Sequence, residues 1–131
     1  DAGMIIHAHT KKAMAVSVRK IREVPCLVEE MSQLIGGGIP ITPQYVPAEQ
    51  HFQLGTTAAE NIGNRNGVIL RNHGPVAVGR NPEEAVLMVE VIEKACEIFL
   101  DQGQMFYAPI PQCYIDSERY RYLYKYGNEK T

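Results

Sequence analysis

His7 and His9 stand two residues apart in Met4-Ile5-Ile6-His7-Ala8-His9, and His73 lies far downstream in Leu70-Arg71-Asn72-His73-Gly74. Residues two apart on a β-strand share a face, so a His-x-His pair can turn both imidazoles toward one ion. A third imidazole makes a set that suits a zinc-like divalent metal and leaves one coordination position open, as catalytic sites do and structural sites do not. The competing reading is of ordinary surface or hydrogen-bonded histidines. Position favours the metal: both motifs end apolar runs, Met4-Ile5-Ile6 and Val68-Ile69-Leu70, where a strand leaves the core and presents side chains to a cleft. His51, in the polar stretch Ala48-Glu49-Gln50-His51, is predicted to face solvent.

The elements that must carry these histidines can be read from periodicity and punctuation. After the first strand, Thr10 can cap a short helix with Ala13, Met14 and Val18 on one side. Cys26 to Ile35 fits either strand or helix and ends at Gly36-Gly37-Gly38, a loop that could also approach a phosphate. Pro40, Pro43 and Pro47 keep the next stretch irregular until Thr56 or Thr57 starts a helix ended by Gly63. Two strands, Val68 to Leu70 and Val76 to Val78, flank the turn Asn72-His73-Gly74-Pro75. The clearest helix has Asn81 as cap, Pro82 in its first turn and an end near Gly103, with Ala85, Met88, Val89, Ile92, Ala95, Cys96 and Phe99 as its buried stripe. Cys96 is thereby a core residue. Asp116 or Ser117 can cap a last short helix in a tail rich in tyrosine, which suits either a partner surface or packing on the chain itself.

The chain has 131 residues, one domain's worth, and a formal net charge of −2. With no run of Lys or Arg, a nucleic-acid or membrane-surface protein is disfavoured. No apolar stretch reaches the roughly 20 residues of a bilayer span. Three cysteines, with no Cys-x-x-Cys spacing, fit reduced thiols in a cytoplasm. Opening on Asp1-Ala2-Gly3 and entering a strand at once, the chain is expected to lack an upstream part.

In order and spacing, Asp1 to Thr10, the Pro25 segment, Ile39-Pro40 with Tyr45, and Val68 to Gly79 followed by the capped helix resemble the class II aldolase/adducin-head family. The resemblance runs over nearly the whole chain. It implies a three-layer α/β/α fold with a central, largely antiparallel sheet, and a Zn²⁺-like ion held by His7, His9 and His73. It further implies a lyase acting on a small phosphorylated ketose, in which the metal stabilises the enediolate formed as a carbon–carbon bond breaks, and assembly as a homotetramer. The segment Leu123-Tyr124-Lys125-Tyr126-Gly127 resembles the aldolase tail, in which the tyrosine before glycine reaches a neighbouring subunit's site as a proton donor or acceptor, and Tyr126 takes that position. The family's phosphate loops and acidic catalytic residue precede His-x-His and have no counterpart here. Glu29 and Glu30 are then the acidic pair nearest the expected cleft. A sugar-phosphate 4-epimerase, a dehydratase of a phosphorylated methylthio-ketose and a non-enzymatic adducin-like assembly module are the alternative readings.

Overall fold

The computed structural model describes residues 2–103 and 107–125. Its sheet is built from β1 (Met4–His7), β4 (Gly67–Ile69) and β5 (Pro75–Gly79), in the order β1-β5-β4, with both pairings antiparallel. In this register His7 lies opposite Val76 and Ile6 opposite Ala77. A two-stranded ribbon, β2 (Glu23–Val24) with β3 (Ile39–Pro40), adjoins it, and Ile41 bridges to Ile69.

Alternation decides which sheet face is core. Ala77 on β5 is buried, while its neighbours Val76 and Val78 are half-buried on the other face. Against the Ala77 side packs α3 (Pro82–Gln102), with α1 (Lys11–Ser17) beside it. Ala85, Met88, Ile92, Ala95, Cys96 and Phe99 are buried on α3 as expected, joined by Val91, whereas Val89 is only half-buried. Burial also pushes the Cys96 thiol up to about 12, so it stays protonated and inert. The opposite face is bordered along β4 by α2 (His51–Ile62), and Ile5 there is 64% exposed.

Two helix starts differ from the sequence expectations, each for a local reason, and one open stretch is settled. α2 starts at His51, not Thr56 or Thr57, because a turn from the Pro47 carbonyl to the Gln50 amide sets the helix going one turn earlier than the threonines suggest. Thr56 lies inside it and returns its hydroxyl to the Phe52 carbonyl, the back-bond that lets threonine sit mid-helix. The last helix, α4, runs Gln112–Tyr120 with Pro111 as its cap, not Asp116 or Ser117, since the Pro111 carbonyl accepts from the Tyr114 and Ile115 amides. Within the ambiguous stretch, Met31–Ile35 forms a buried π-helical turn that ends at Gly36.

Two carboxylates on α3 do work that no local pattern reveals. Thr10 occupies the cap position of α1, but its hydroxyl makes no cap bond; the Glu93 carboxylate accepts from the Lys12 and Ala13 amides instead, at 2.9 and 3.0 Å. Glu84, 9% exposed, gathers the Arg80 guanidinium and the Tyr122 hydroxyl and so fastens the tail to α3. Burial would raise its carboxyl, but hydrogen bonds from Arg80 and Tyr122 outweigh that and hold it at about 2. A carboxyl depressed in the folded state stabilises the fold above its ordinary value of 4.5, and that contribution fades as the pH drops toward 2. Acid unfolding of Glu84→Gln should therefore lose part of the steepness that the wild-type chain shows between those two values, as a circular-dichroism titration of both proteins would reveal. Identical profiles would contradict the assignment.

Candidate metal centre

His7 ends β1, His9 follows two residues on, and His73 occupies the tight connection between β4 and β5. That connection is shaped by Asn72, whose φ of +58° is tolerated by asparagine better than by most side chains, and by bonds from the His73 amide to Leu70 and from the Leu70 amide to Gly74. Gly74 is required by proximity: a Cβ there would lie 2.6 Å from the Ala8 carbonyl oxygen, on the strand extension that carries His9. Absence of that carbon lets the Ala8 amide reach the Pro75 carbonyl, 3.2 Å away, and draws the two histidine segments together.

The three imidazoles meet through one atom each. Nε2 of His7 is 3.1 Å from that of His9 and 3.2 Å from that of His73, and the His9 and His73 atoms are 3.1 Å apart. Ligands at about 2.0–2.1 Å from a tetrahedral ion stand about 3.3 Å from one another, so the observed triangle is close to that of a three-histidine ligand set. Proton placement agrees. His7 Nδ1 lies 3.0 Å from the Pro75 carbonyl, which only accepts, so Nδ1 carries the proton and Nε2 turns its lone pair to the centre. Partial burial, with His7 and His9 adding to it, lowers the His73 pKa and favours the neutral, ligating ring. Three lone pairs converging without a cation between them would repel, which makes this donor set a fit for a divalent metal. Among the described residues it is also the one cluster with metal-ligand geometry.

Arg71, which the sequence reading passed over, holds the connection in place. Its guanidinium donates to the carbonyls of Thr42, Ile21 and Arg19, and its amide donates to the Thr42 hydroxyl at 2.7 Å. A lone arginine at a strand end carries no local signal of this clamp, because all of its partners lie at least 29 residues away in sequence.

The histidines open onto a groove of about 700 Å³ between α2 and the free sheet face, walled by Ile5, Leu54, Ala58, Val68, Leu70 and Val76. His51 is exposed, as expected, yet it also lines this groove. Glu29 and Glu30 do not: Glu30 pairs with Lys94 on α3 at 2.9 Å, and neither carboxylate borders the groove, so neither is brought to the histidines as a base. Nor is the triple glycine a phosphate cradle, since Gly36 and Gly37 are packed against the side chains of Arg119 and Arg65. Tyr126 lies outside the described residues. Of the tail tyrosines, Tyr122 is half-buried and packs on the chain itself, while Tyr114, Tyr120 and Tyr124 are exposed.

A sheet of antiparallel strands backed by helices, with three histidines gathered at the strand ends, defines the class of site. Residues 1–100 match the Class II Aldolase and Adducin N-terminal domain family, and the chain belongs to that family. Over 102 residues, 75% of this chain and 13% of the relative, it is 34% identical to mouse α-adducin. It is 26% identical to L-fuculose phosphate aldolase of Escherichia coli over 100 residues, 76% of this chain and 45% of the enzyme. Among solved structures, an L-fuculose 1-phosphate aldolase superposes with a TM-score of 0.86 at 23% identity, covering 95% of this chain and 57% of that one. The chain thus spans about half the length of the bacterial enzyme it matches.

No helix among the described residues is long and apolar enough to cross a membrane.

Proposed function

We propose that this chain carries the metal centre of a class II aldolase-type lyase acting on a small phosphorylated ketose. His7, His9 and His73 would hold a divalent ion, with Zn²⁺ the best match to three imidazole donors. The observation that carries the reading is the triangle of Nε2 atoms 3.1 to 3.2 Å apart. Bound there, such an ion supplies Lewis acidity to an oxyanion developing on the substrate. The chain's own contributions are separate. His7 is oriented through Pro75, the Arg71 clamp keeps His73 in register, and the aliphatic groove walls exclude water from one side of the site. Tyr126 is proposed as a proton donor or acceptor, and a homotetramer with the exposed tail tyrosines at a subunit boundary as the assembly.

Purified from zinc-replete medium, the protein is expected to hold about one divalent ion per chain. Elemental analysis well below half an ion per chain, not raised by added zinc, would defeat the proposal. Cleavage of a ketose 1-phosphate to dihydroxyacetone phosphate and an aldehyde by the complete gene product, assayed with and without chelator, then tests the chemistry, whereas the 131 residues alone are expected to be nearly inactive. A second reading, an assembly module without catalysis, draws support from the 34% identity to α-adducin. It predicts neither metal uptake nor turnover, so the same two measurements separate the readings.

A further inference from the structure

At the other end of the strands from the histidines lies a second cavity, of about 540 Å³, whose lining includes Arg65, Arg80 and Arg119 and, among the described residues, one carboxylate, Glu84. Three guanidinium groups against one carboxylate is an imbalance in a chain whose overall charge is negative. Glu23 offsets part of it from outside the cavity, 3.6 Å from Arg65, but a surplus of positive charge remains. Each arginine also has a structural contact. Arg119 donates to the carbonyls of Gln33 and Leu34 at 2.9 and 2.8 Å and to the Asn66 side chain, and Arg65 donates to the Gly38 carbonyl. Glu84 answers the charge of Arg80, but the contacts of Arg119 and Arg65 leave charge unanswered. Carbonyl oxygens accept hydrogen bonds without cancelling a cation, no carboxylate among the described residues forms an ion pair with Arg119, and Arg65 Nη2 has no hydrogen-bond partner among them.

The Gly36-Gly37-Gly38 run explains how the cations are held. Gly36 and Gly37 adopt φ values of +97° and +138°, and a Cβ on either would come within 3.0 and 3.1 Å of the guanidinium groups of Arg119 and Arg65. Bare backbone at these two positions thus seats both side chains before any ligand arrives. Burial lowers the Arg119 pKa, Tyr122 and Glu84 oppose that, and the charges of Arg80 and Arg65 add a smaller lowering.

We infer that this cavity is a second binding site, for a small phosphate-bearing anion. Guanidinium groups from three different elements line one cavity, and the donors left free on them, Arg65 Nη2 among them, suit the several oxygens of a phosphate group better than the two of a carboxylate. The site is distinct from the proposed metal centre. Ile62 and Val78 border both cavities, but the length of β5, Pro75 to Gly79, stands between His73 and Arg80, about 13 Å at the rise of an extended strand.

Calorimetric titration of the metal-free chain with inorganic phosphate and with pyrophosphate, at constant ionic strength, tests the inference. Pyrophosphate is expected to bind once per chain, about tenfold or more weakly in Arg65→Gln and in Arg80→Gln, and with unchanged affinity in His73→Ala. Acetate at the same ionic strength should not compete. Absence of binding by either phosphate, equal binding to the folded arginine variants, loss of binding in His73→Ala, or competition by acetate would each overturn the assignment. Should a variant fail to fold, nitrogen-15 spectra of the unsubstituted chain decide. The arginine Nε–H signals of Arg65, Arg80 and Arg119 must move on adding pyrophosphate, and their constancy would refute the site. Because the readout is anion binding without metal, its failure would leave the proposed lyase function standing.

Discussion

His73→Ala is expected to lower the zinc affinity of the chain by more than about a hundredfold, a larger loss than removal of an outer-sphere partner of a metal ligand brings. Two imidazoles would remain, His7 and His9, whose Nε2 atoms stay 3.1 Å apart on one strand extension. Two ligands from a single segment lack the third direction that a tetrahedral ion needs, so the residual site should bind weakly and without the selectivity of the full set. The fold should be nearly indifferent to the change. His73 sits in a turn at the edge of the groove, and its amide bond to Leu70 does not depend on the side chain. Competition with a chromophoric zinc chelator gives the affinity, and thermal denaturation without metal gives the stability. Wild-type affinity in the variant would remove His73 from the ligand set. Added zinc should raise the melting temperature of the wild-type chain but not of the variant, since only a ligand that prefers the folded state stabilises it.

Gly74→Ala keeps every candidate ligand and should still damage the centre. The added methyl group would lie 2.6 Å from the Ala8 carbonyl oxygen, a backbone atom that cannot rotate away. Relief requires the segment Ala8-His9 to move from the β4–β5 connection, lengthening the Ala8–Pro75 bond and parting His9 from His73. We expect about 1–3 kcal/mol of lost stability, the usual cost of forcing extra carbon into a packed place. Zinc affinity should fall about tenfold or more, because displacements of a few tenths of an ångström matter at metal–ligand distances. Denaturant titration and the same chelator competition measure the two effects. If stability and affinity both stayed at wild-type levels, the glycine would have no part in joining the histidine segments.

Much of this architecture was legible in the residues themselves, wherever the cause is local. Strand alternation placed His7 and His9 on one side, and Asn81-Pro82 marked the start of α3, where Asn81 does accept from the Glu84 amide at 2.8 Å. The aliphatic stripe of α3 followed from helical spacing, apart from the exchange of Val89 for Val91. What escaped the sequence reading depends on partners distant along the chain. Glu93 takes over the capping that Thr10 was expected to provide, from 80 residues away. The triple glycine read as a loop, and only the structure shows that it makes room for two arginines that approach from other elements. Glu29 and Glu30 were chosen by nearness to the expected cleft, and the structure pairs Glu30 with Lys94 of α3 and leaves both carboxylates off the groove. The start of α2 was obscured because Thr56 and Thr57 look like caps when the turn at Pro47 is not considered.

The pairing of β1 with β5 also bears on the order in which the molecule forms. His7 and His73 are 66 residues apart, so the donor triangle exists only after a long loop has closed and the sheet has registered. An ion held there would bridge the two ends of that loop much as a covalent cross-link would, in an arrangement that is completed late. Interactions absent from the folding transition state act on the way out of the native state and hardly on the way in. Metal at this centre would then govern how long the folded chain survives, and have little influence on how quickly it is reached.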